Sequence, residues 1–340
     1  MFKVFCVVFL IFGTVVGSGF SSGKEIMVFF SRFGVLSYLY VCIASVLFFF
    51  VFYFLLNFGR FVVKKIENSK LLNIITLFVS VVFGACMFAG IKSLFDYFPT
   101  WLYWIMLVFI VALSFVVVFK GVNWLEKVNL ILMPLAGFLF LIVLIYSISI
   151  SSDISISVSS WAGALYAPLY VTLNTSMSVM LISGVGEGLT KKQTFFASLF
   201  SSILLLFFLL LGNFVLQRNG DSFVSEMPFL NIVKDNSLMF CFAFIVVLVG
   251  CFTTLISLCF TIKSAMAKII PKQNLVAFLS VTLPFVVGFL SFSQIVSNLY
   301  PICSVLGVFV LLFAIASFKQ TDKIIHSKSK NTQNYRRRHY

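Results

Sequence analysis

The sequence predicts an all-helical protein that crosses a membrane many times, and two observations carry this prediction. Apolar residues make up 61% of the 340 residues, and only 10% are charged. With a mean hydropathy of +1.13, the chain is too apolar to be a soluble domain. The apolar runs are also about 20 residues long, which suits helices that cross the hydrocarbon rather than barrel strands of about ten residues.

Short polar connections divide the chain into ten apolar runs. They lie near residues 4–31, 35–58, 71–95, 101–119, 127–150, 163–188, 194–216, 238–262, 274–292 and 298–318. Backbone that faces lipid must satisfy its own hydrogen bonds, so each run is predicted to be a helix. Ten helices divide into two sets of five, and the second set must be inverted because five is odd. We therefore predict a 5+5 inverted repeat, with repeats at 1–150 and 151–318 and a disordered basic tail at 319–340.

The net charge of +14 is explained by topology. With the N-terminus in the cytoplasm, nineteen of the 24 Lys and Arg fall on the cytoplasmic side, seven of them in the tail. The positive-inside rule then predicts a multi-pass protein of the cell membrane with both termini cytoplasmic. We expect the lipid bilayer and a small-molecule substrate as partners, and no nucleic acid. The sequence does not determine the oligomeric state.

The residue types that membrane enzymes need are missing from the predicted spans. Both histidines, His326 and His339, lie in the tail, and no span carries HExxH, paired carboxylates or a Cys/His cluster. The seven cysteines form no CxxC motif. We therefore predict that the protein is not an enzyme and has no cofactor, apart from a possible Na⁺ as coupling ion.

The first apolar run is interrupted by "GTVVGSGFSSGKE", residues 13–25. Glycine destabilises a helix by about 1 kcal/mol relative to alanine, and serine competes for backbone hydrogen bonds. Concentrated in mid-membrane, these residues predict a discontinuous helix. Its free carbonyls suit a small cation, and its free amides and positive helix end suit a carboxylate. The alternative is close helix packing, since Gly13/Gly17 and Gly19/Gly23 are small-xxx-small pairs.

The sixth run, first of the second repeat, is also polar at its centre and predicts a second discontinuous helix. We place the break within Thr172–Ser178, and regard "SGVGEG" at 183–188 as a less favoured position because it adjoins the basic cytoplasmic rim. The corresponding breaks in the two repeats define the candidate substrate-binding residues. These are Gly17, Ser18, Gly19, Phe20, Ser21, Ser22, Thr172, Asn174 and Ser176.

Two ionisable residues, Lys24 and Glu25, follow the first break, one or two turns toward the outside. They either line a watery outer vestibule or form an extracellular gate, with Lys24 attracting an anionic group. The longer outside connection at 218–237 contains Pro228 followed by "FLNIV", which predicts a short re-entrant or surface helix.

The stretch "GTVVGSGFSSGKEI" resembles the opening helix of the YkvI-like membrane proteins, a group within the amino acid–polyamine–organocation (APC) superfamily. Ten spans without appended domains are similar to that family as well. Where the family motif ends in Gly-Gln-Glu, this chain has Lys24 in place of Gln. The resemblance implies a LeuT-like fold and transport of a small solute, with an amino acid or related amine as the usual cargo.

The resemblance to the LeuT-like fold also implies a sodium site between the first and eighth spans. Such a site uses two carbonyls from the first span, and one carbonyl and two hydroxyls from the eighth. The matching positions are Gly13 and Val16 in the first run, and Gly250, Thr253 and Thr254 in "GCFTT". The alternative for the two threonines is hydrogen bonding of their hydroxyls to their own helix.

Together these features predict a secondary active transporter of a small solute, coupled to a cation and working by alternating access around unwound helices 1 and 6. One alternative is an ion or solute channel, because glycines and hydroxyls can also line a pore. The other is a non-transporting membrane sensor. Channels usually gain symmetry by oligomerising, whereas a 5+5 chain forms its pathway within one subunit. The repeat therefore favours a carrier.

Overall fold

The computed structural model describes residues 1–150, 159–186, 188–267, 269–313 and 315–316. The predicted tail at 319–340 and the predicted start of the second repeat at 151–158 lie outside the described residues. Within the described ranges all regular structure is helical, which confirms the all-helical part of the prediction.

Fourteen helices follow one another along the described part of the chain. They are α1 Phe2–Val15, α2 Ser18–Ser21, α3 Lys24–Phe29, α4 Ser37–Asn57, α5 Gly59–Asn68, α6 Lys70–Phe95, α7 Thr100–Lys120, α8 Val122–Ile150, α9 Gly163–Gly186, α10 Lys191–Gln217, α11 Pro228–Ile232, α12 Ser237–Met266, α13 Gln273–Val287 and α14 Phe292–Phe313. Short 3₁₀ segments cover Ser31–Leu36 and Gly220–Val224, and α14 contains a π-helical turn at Ile295–Leu299.

Among the described residues, eight helical segments are long and apolar enough to cross a membrane. Two shorter apolar helices, α1 and α13, lie at the predicted first and ninth spans. The protein is therefore a multi-pass membrane protein. The short helix predicted after Pro228 is present as α11.

The centre of the bundle is formed by α6, α9 and α12. Helix α12 packs against α6, α8, α9 and the broken first span. Large apolar side chains such as Trp101, Phe109 and Phe138 point outward from α7 and α8, as expected of a surface that faces lipid. Polar side chains are concentrated instead where the broken first span meets the central helices.

The predicted break in the sixth span is wrong. Helix α9 runs without interruption through Thr172–Ser178 to Gly186. Its hydroxyls are satisfied by carbonyls of the preceding turn: Thr175 Oγ1 donates to Val171 O at 2.7 Å, and Ser178 Oγ donates to Asn174 O at 2.8 Å. Polar residues in a membrane helix thus need no unwinding when they bond back to their own backbone. The helix ends instead at Gly186, inside the less favoured glycine-rich stretch.

Candidate functional site

The first span is broken, as predicted. Helix α1 ends at Val15, and the chain turns at Val16, where φ is −83° and ψ is 71°. Gly17 is extended, and its N–H donates to Val15 O at 2.9 Å rather than continuing the helical ladder to Gly13 O. The break therefore frees the Gly13 carbonyl for other partners.

A second bend occurs at Gly23, between α2 and α3. Its φ of 87° lies in the left-handed region. Glycine adopts this conformation without steric strain, whereas other residues do not. A Cβ there would also lie 2.9 Å from the ring of Phe229. Helix α3 consequently starts in a new direction, carrying Lys24 and Glu25 with it.

The break in the first span lies directly against α12. Thr254 Oγ1 donates to Gly13 O at 2.9 Å. A Cβ on Gly250 would lie only 2.8 Å from Val16 O, so glycine lets the two backbones approach. Four of the five residues predicted to bind sodium, Gly13, Val16, Gly250 and Thr254, thus lie together.

The fifth predicted sodium residue, Thr253, faces elsewhere. Its hydroxyl donates to Val249 O at 2.9 Å and to Gly250 O at 3.3 Å, within its own helix. It also points to the sulfur of Met133 on α8, at 3.4 Å. In the described residues no group of three His, Cys, Asp or Glu could hold a metal ion. The atoms gathered at the break are neutral oxygens, the donor type that hard cations prefer.

One further oxygen at this place was missed in the sequence. Asn129 on α8 is fully buried, its Nδ2 donates to Leu125 O at 3.0 Å, and its Oδ1 has no partner in the described part of the chain. That oxygen contacts the position where a side chain on Gly13 would begin. Asn129 could have been identified in the sequence as a single Asn within an apolar run.

Glu25 lies at the centre of the protein rather than in an outer vestibule. It is 3% exposed, and Asn174 Nδ2 donates to its Oε1 at 3.1 Å. Its Oε2 lies 2.6 Å from the position of a Cβ on Gly19. Lys24 is buried as well, so neither side chain lines a watery vestibule.

Further polar side chains from α2, α6, α9 and α14 surround Glu25. Tyr300 on α14 donates to Cys86 Sγ on α6 at 3.0 Å, and Ser18 Oγ donates to Cys86 O at 3.4 Å. Tyr170 lies one turn before Asn174 on α9 and is fully buried beside the carboxylate. We call this set the central polar cluster: Ser18, Glu25, Cys86, Tyr170, Asn174 and Tyr300. Sequence reasoning missed Cys86, Tyr170 and Tyr300.

The remaining predicted substrate residues divide into two groups. Ser21 and Ser22 bond locally, to Gly17 O at 2.7 Å and Gly19 O at 3.3 Å. Phe20 packs edge-on against Phe140, with ring centroids 6.2 Å apart.

Of the three residues predicted on the sixth span, two face α14. Thr172 Oγ1 donates to Ser304 O at 3.0 Å, and Ser176 lies against Gly307. The structure thus brings Ser18, Gly19 and Asn174 to the cluster, but not Thr172 or Ser176, because an unbroken α9 presents them on a different side.

The connection between α10 and α12 covers one end of the site, and we call residues 220–232 the lid. Lys24 Nζ donates to Ser225 O at 2.9 Å and to Phe223 O at 3.3 Å. Phe229 N donates to Ser22 O at 2.9 Å, and Ser93 Oγ donates to Glu226 Oε2 at 2.7 Å. The first and third spans are therefore both tied to the lid, and Lys24 makes contacts suited to a gate.

A cavity of about 600 Å³ lies at the other end of the molecule. It opens between the start of α8 and the ends of α9 and α12. Its lining includes Asn123, Glu126, Gly184, Lys263, Ser264 and Gln273. These residues lie at the side predicted to be cytoplasmic, so the lid and the cavity occupy opposite ends.

The architecture has a counterpart among solved structures of membrane proteins. The chain is similar to the solved structure of Mhp1, a nucleobase-cation-symport-1 family transporter, in a closed conformation with bromovinylhydantoin bound. The TM-score is 0.55 and the identity 13%, and the match covers 83% of this chain and 70% of that chain. At this identity the likeness shows the fold, which is the LeuT-like transporter fold that the resemblance implied.

A curated relative supports the membrane assignment. The chain is 22% identical over 317 residues to "Uncharacterized membrane protein YkvI" of Bacillus subtilis (strain 168). The aligned region covers 86% of this chain and 90% of that protein. No family model matches the chain.

Proposed function

We propose that the protein is a secondary active transporter of a small solute, an amino acid or a related amine. Its ten predicted spans form two inverted repeats of five, and transport proceeds by alternating access. The observation that carries this proposal is the break at Val16–Gly17, held against α12 by the hydrogen bond from Thr254 to Gly13 O. A continuous packing helix would not free peptide groups at this depth.

Sodium is the proposed coupling ion. The predicted ligands are Gly13, Val16, Gly250, Thr253 and Thr254, and Thr253 would have to turn from Val249 O to join them. An ion bound there would fasten the broken span to α12 and so fix the positions of α2 and α3. Because α2 and α3 carry Ser18 and Glu25, ion and solute would each raise the affinity for the other.

The proposed solute site is the central polar cluster. The cluster keeps Ser18 and Asn174 from the site predicted from the sequence, lies beside Gly19, and adds Glu25 and residues of α6, α9 and α14. The cluster lies between the lid and the predicted cytoplasmic cavity. We infer that the lid opens to admit solute from outside and that the cavity serves release inside, which gives the two access states that a carrier needs.

The proposal is tested with purified protein in two steps. A thermal-shift screen against amino acids and related amines, in sodium or potassium chloride, identifies ligands whose effect requires sodium. Uptake of each such ligand is then measured in proteoliposomes. We expect saturable uptake that an inward sodium gradient accelerates. Unitary currents would instead identify a channel, and binding without uptake would identify a sensor.

A further inference from the structure

Glu25 is a buried carboxylate for which the described part of the chain supplies no cation. The nearest basic residue in sequence, Lys24, directs its amino group away to the lid, at 2.9 Å from Ser225 O. Asn174 Nδ2, an uncharged donor, forms a hydrogen bond with the Glu25 carboxylate at 3.1 Å. An isolated charge in a dry interior is strongly disfavoured, so Glu25 needs a positive partner or must lose its charge.

The elements packed against α3 supply no positive charge to Glu25. Helix α9 contributes Tyr170, and within electrostatic range lie Cys86 of α6 and Tyr300 of α14. Arg32, on the adjoining 3₁₀ segment, stacks over the ring of Tyr166 at 4.5 Å. The stretch of α10 at 205–217 contains no titratable residue type. The titratable groups facing Glu25 are thus two phenols and a thiol.

A neighbouring hydroxyl indicates how Glu25 is neutralised. The Tyr170 hydroxyl is buried beside the Glu25 carboxylate, and no other group among the described residues forms a hydrogen bond with it. Asn174 Nδ2 also donates to Tyr170 O at 3.1 Å, which holds the amide with its nitrogen toward Glu25. A protonated Glu25 would still accept from Asn174 Nδ2 through one oxygen and would donate its O–H to the buried Tyr170 hydroxyl beside it.

We propose that Glu25 is a proton-binding site of the transport cycle. The inference rests on the proposed function and adds a second coupling ion, at a place separate from the contact between Thr254 and Gly13. A proton binds a carboxylate oxygen of Glu25 when the site is open to one side, and the neutral acid lets the site close. When the site opens to the other side, water solvates the carboxylate and the proton leaves.

Infrared difference spectroscopy in proteoliposomes tests this site with protons as the only ligand. Stepping the pH should change the C=O stretching band of a protonated carboxyl group, and this band should be lost in E25Q. The control D235N removes an exposed carboxylate of the loop before α12 and should keep the band. A band of equal intensity in wild type and E25Q, or no protonated band in wild type at any pH, would overturn the proposal.

Thermal unfolding across a pH series provides a second measurement. The uncharged acid is the form that fits the closed site, so wild-type stability should fall as the pH rises and Glu25 loses its proton. The equilibrium between the folded and unfolded protein should change up to about tenfold per pH unit, as a one-proton step allows. E25Q mimics the neutral acid and should lack this slope, whereas E25D should retain it. An unchanged slope in E25Q contradicts the proposal.

Neither measurement requires a known solute, so the two proposals can fail separately. Saturable uptake together with an infrared spectrum that E25Q leaves unchanged would contradict the proton site but support the carrier proposal. A Glu25 band without uptake of any ligand found by the screen would contradict the carrier proposal but support proton binding at Glu25.

Discussion

The hydroxyl of Thr254 donates a hydrogen bond of 2.9 Å to the carbonyl oxygen of Gly13, joining α12 to the first span. The bond replaces the one that Gly17 N–H would have made in a continuous helix, because that N–H turns back to Val15 O. The broken span is thus held at one fixed point beside α12.

Replacing this threonine tests the proposed ion site. Thr254→Ala should weaken sodium-dependent stabilisation and uptake about tenfold to hundredfold, the range for losing one charge-assisted contact. The amount of protein in the membrane should fall far less. Thr261→Ala is the matched control, since that buried threonine bonds to Ser257 O of its own helix at 3.4 Å. Equal loss of membrane protein and sodium response in T254A would show a structural threonine.

Asn129 tests whether the ion site extends to α8. Asn129→Leu removes a buried oxygen without a partner, so stability in the absence of sodium should stay equal or rise. The thermal shift produced by sodium should shrink. Asn213→Leu serves as the contrast, because Asn213 Nδ2 donates to Ser37 Oγ at 2.8 Å and its loss should lower stability with or without sodium. A full sodium shift in N129L would exclude Asn129 as a ligand.

Gly250 tests the close approach of α12 to the break. Gly250→Ala would place a Cβ 2.8 Å from Val16 O and should cost about 1 to 3 kcal/mol of stability, together with the sodium response. Gly184→Ala is the matched control on α9, where a Cβ meets nothing within 4 Å. It should be neutral or stabilise by up to about 1 kcal/mol. Thermal unfolding of both variants checks the prediction, which an unaffected G250A would contradict.

Lys24 tests the lid. Lys24→Met keeps the apolar stem but removes the donor to Ser225 O and Phe223 O. Hydrogen exchange of the lid backbone should rise several-fold, by an amount that two lost charge-assisted contacts allow. Lys234→Met, at an exposed position beyond the lid, should leave the exchange unchanged. Equal exchange in wild type and K24M would show that these contacts do not hold the lid closed.

The break in the first span could be predicted because its cause is local. Glycines and serines weaken a helix wherever they are concentrated, and the unwinding at Val16–Gly17 follows from them. The pairing of Gly13 with Thr254 was predicted because the spacing of these residues resembles that of the sodium site in the LeuT-like fold. The structure places the two residues in hydrogen-bond contact.

The depth of Glu25 and the integrity of α9 could not be predicted in the same way. Counting residues along a straight helix puts Glu25 near the outer surface, but the bend at Gly23 starts α3 in a new direction. The polar residues of α9 resemble a break in the sequence, yet back-bonding satisfies them within a helix. Cys86 and Tyr300 come from apolar runs, and only tertiary packing identifies them.

Alternating access to the central polar cluster is measured most directly through Cys86, which is fully buried there. In a variant retaining this cysteine alone, a membrane-impermeant thiol reagent is applied to either face of proteoliposomes. A variant retaining only Cys259, buried in α12, is the control and should stay unreactive. We predict that Cys86 reacts from both faces and that sodium raises its reactivity from one face while lowering it from the other. Reaction from a single face under every condition, or from neither, would contradict the carrier mechanism.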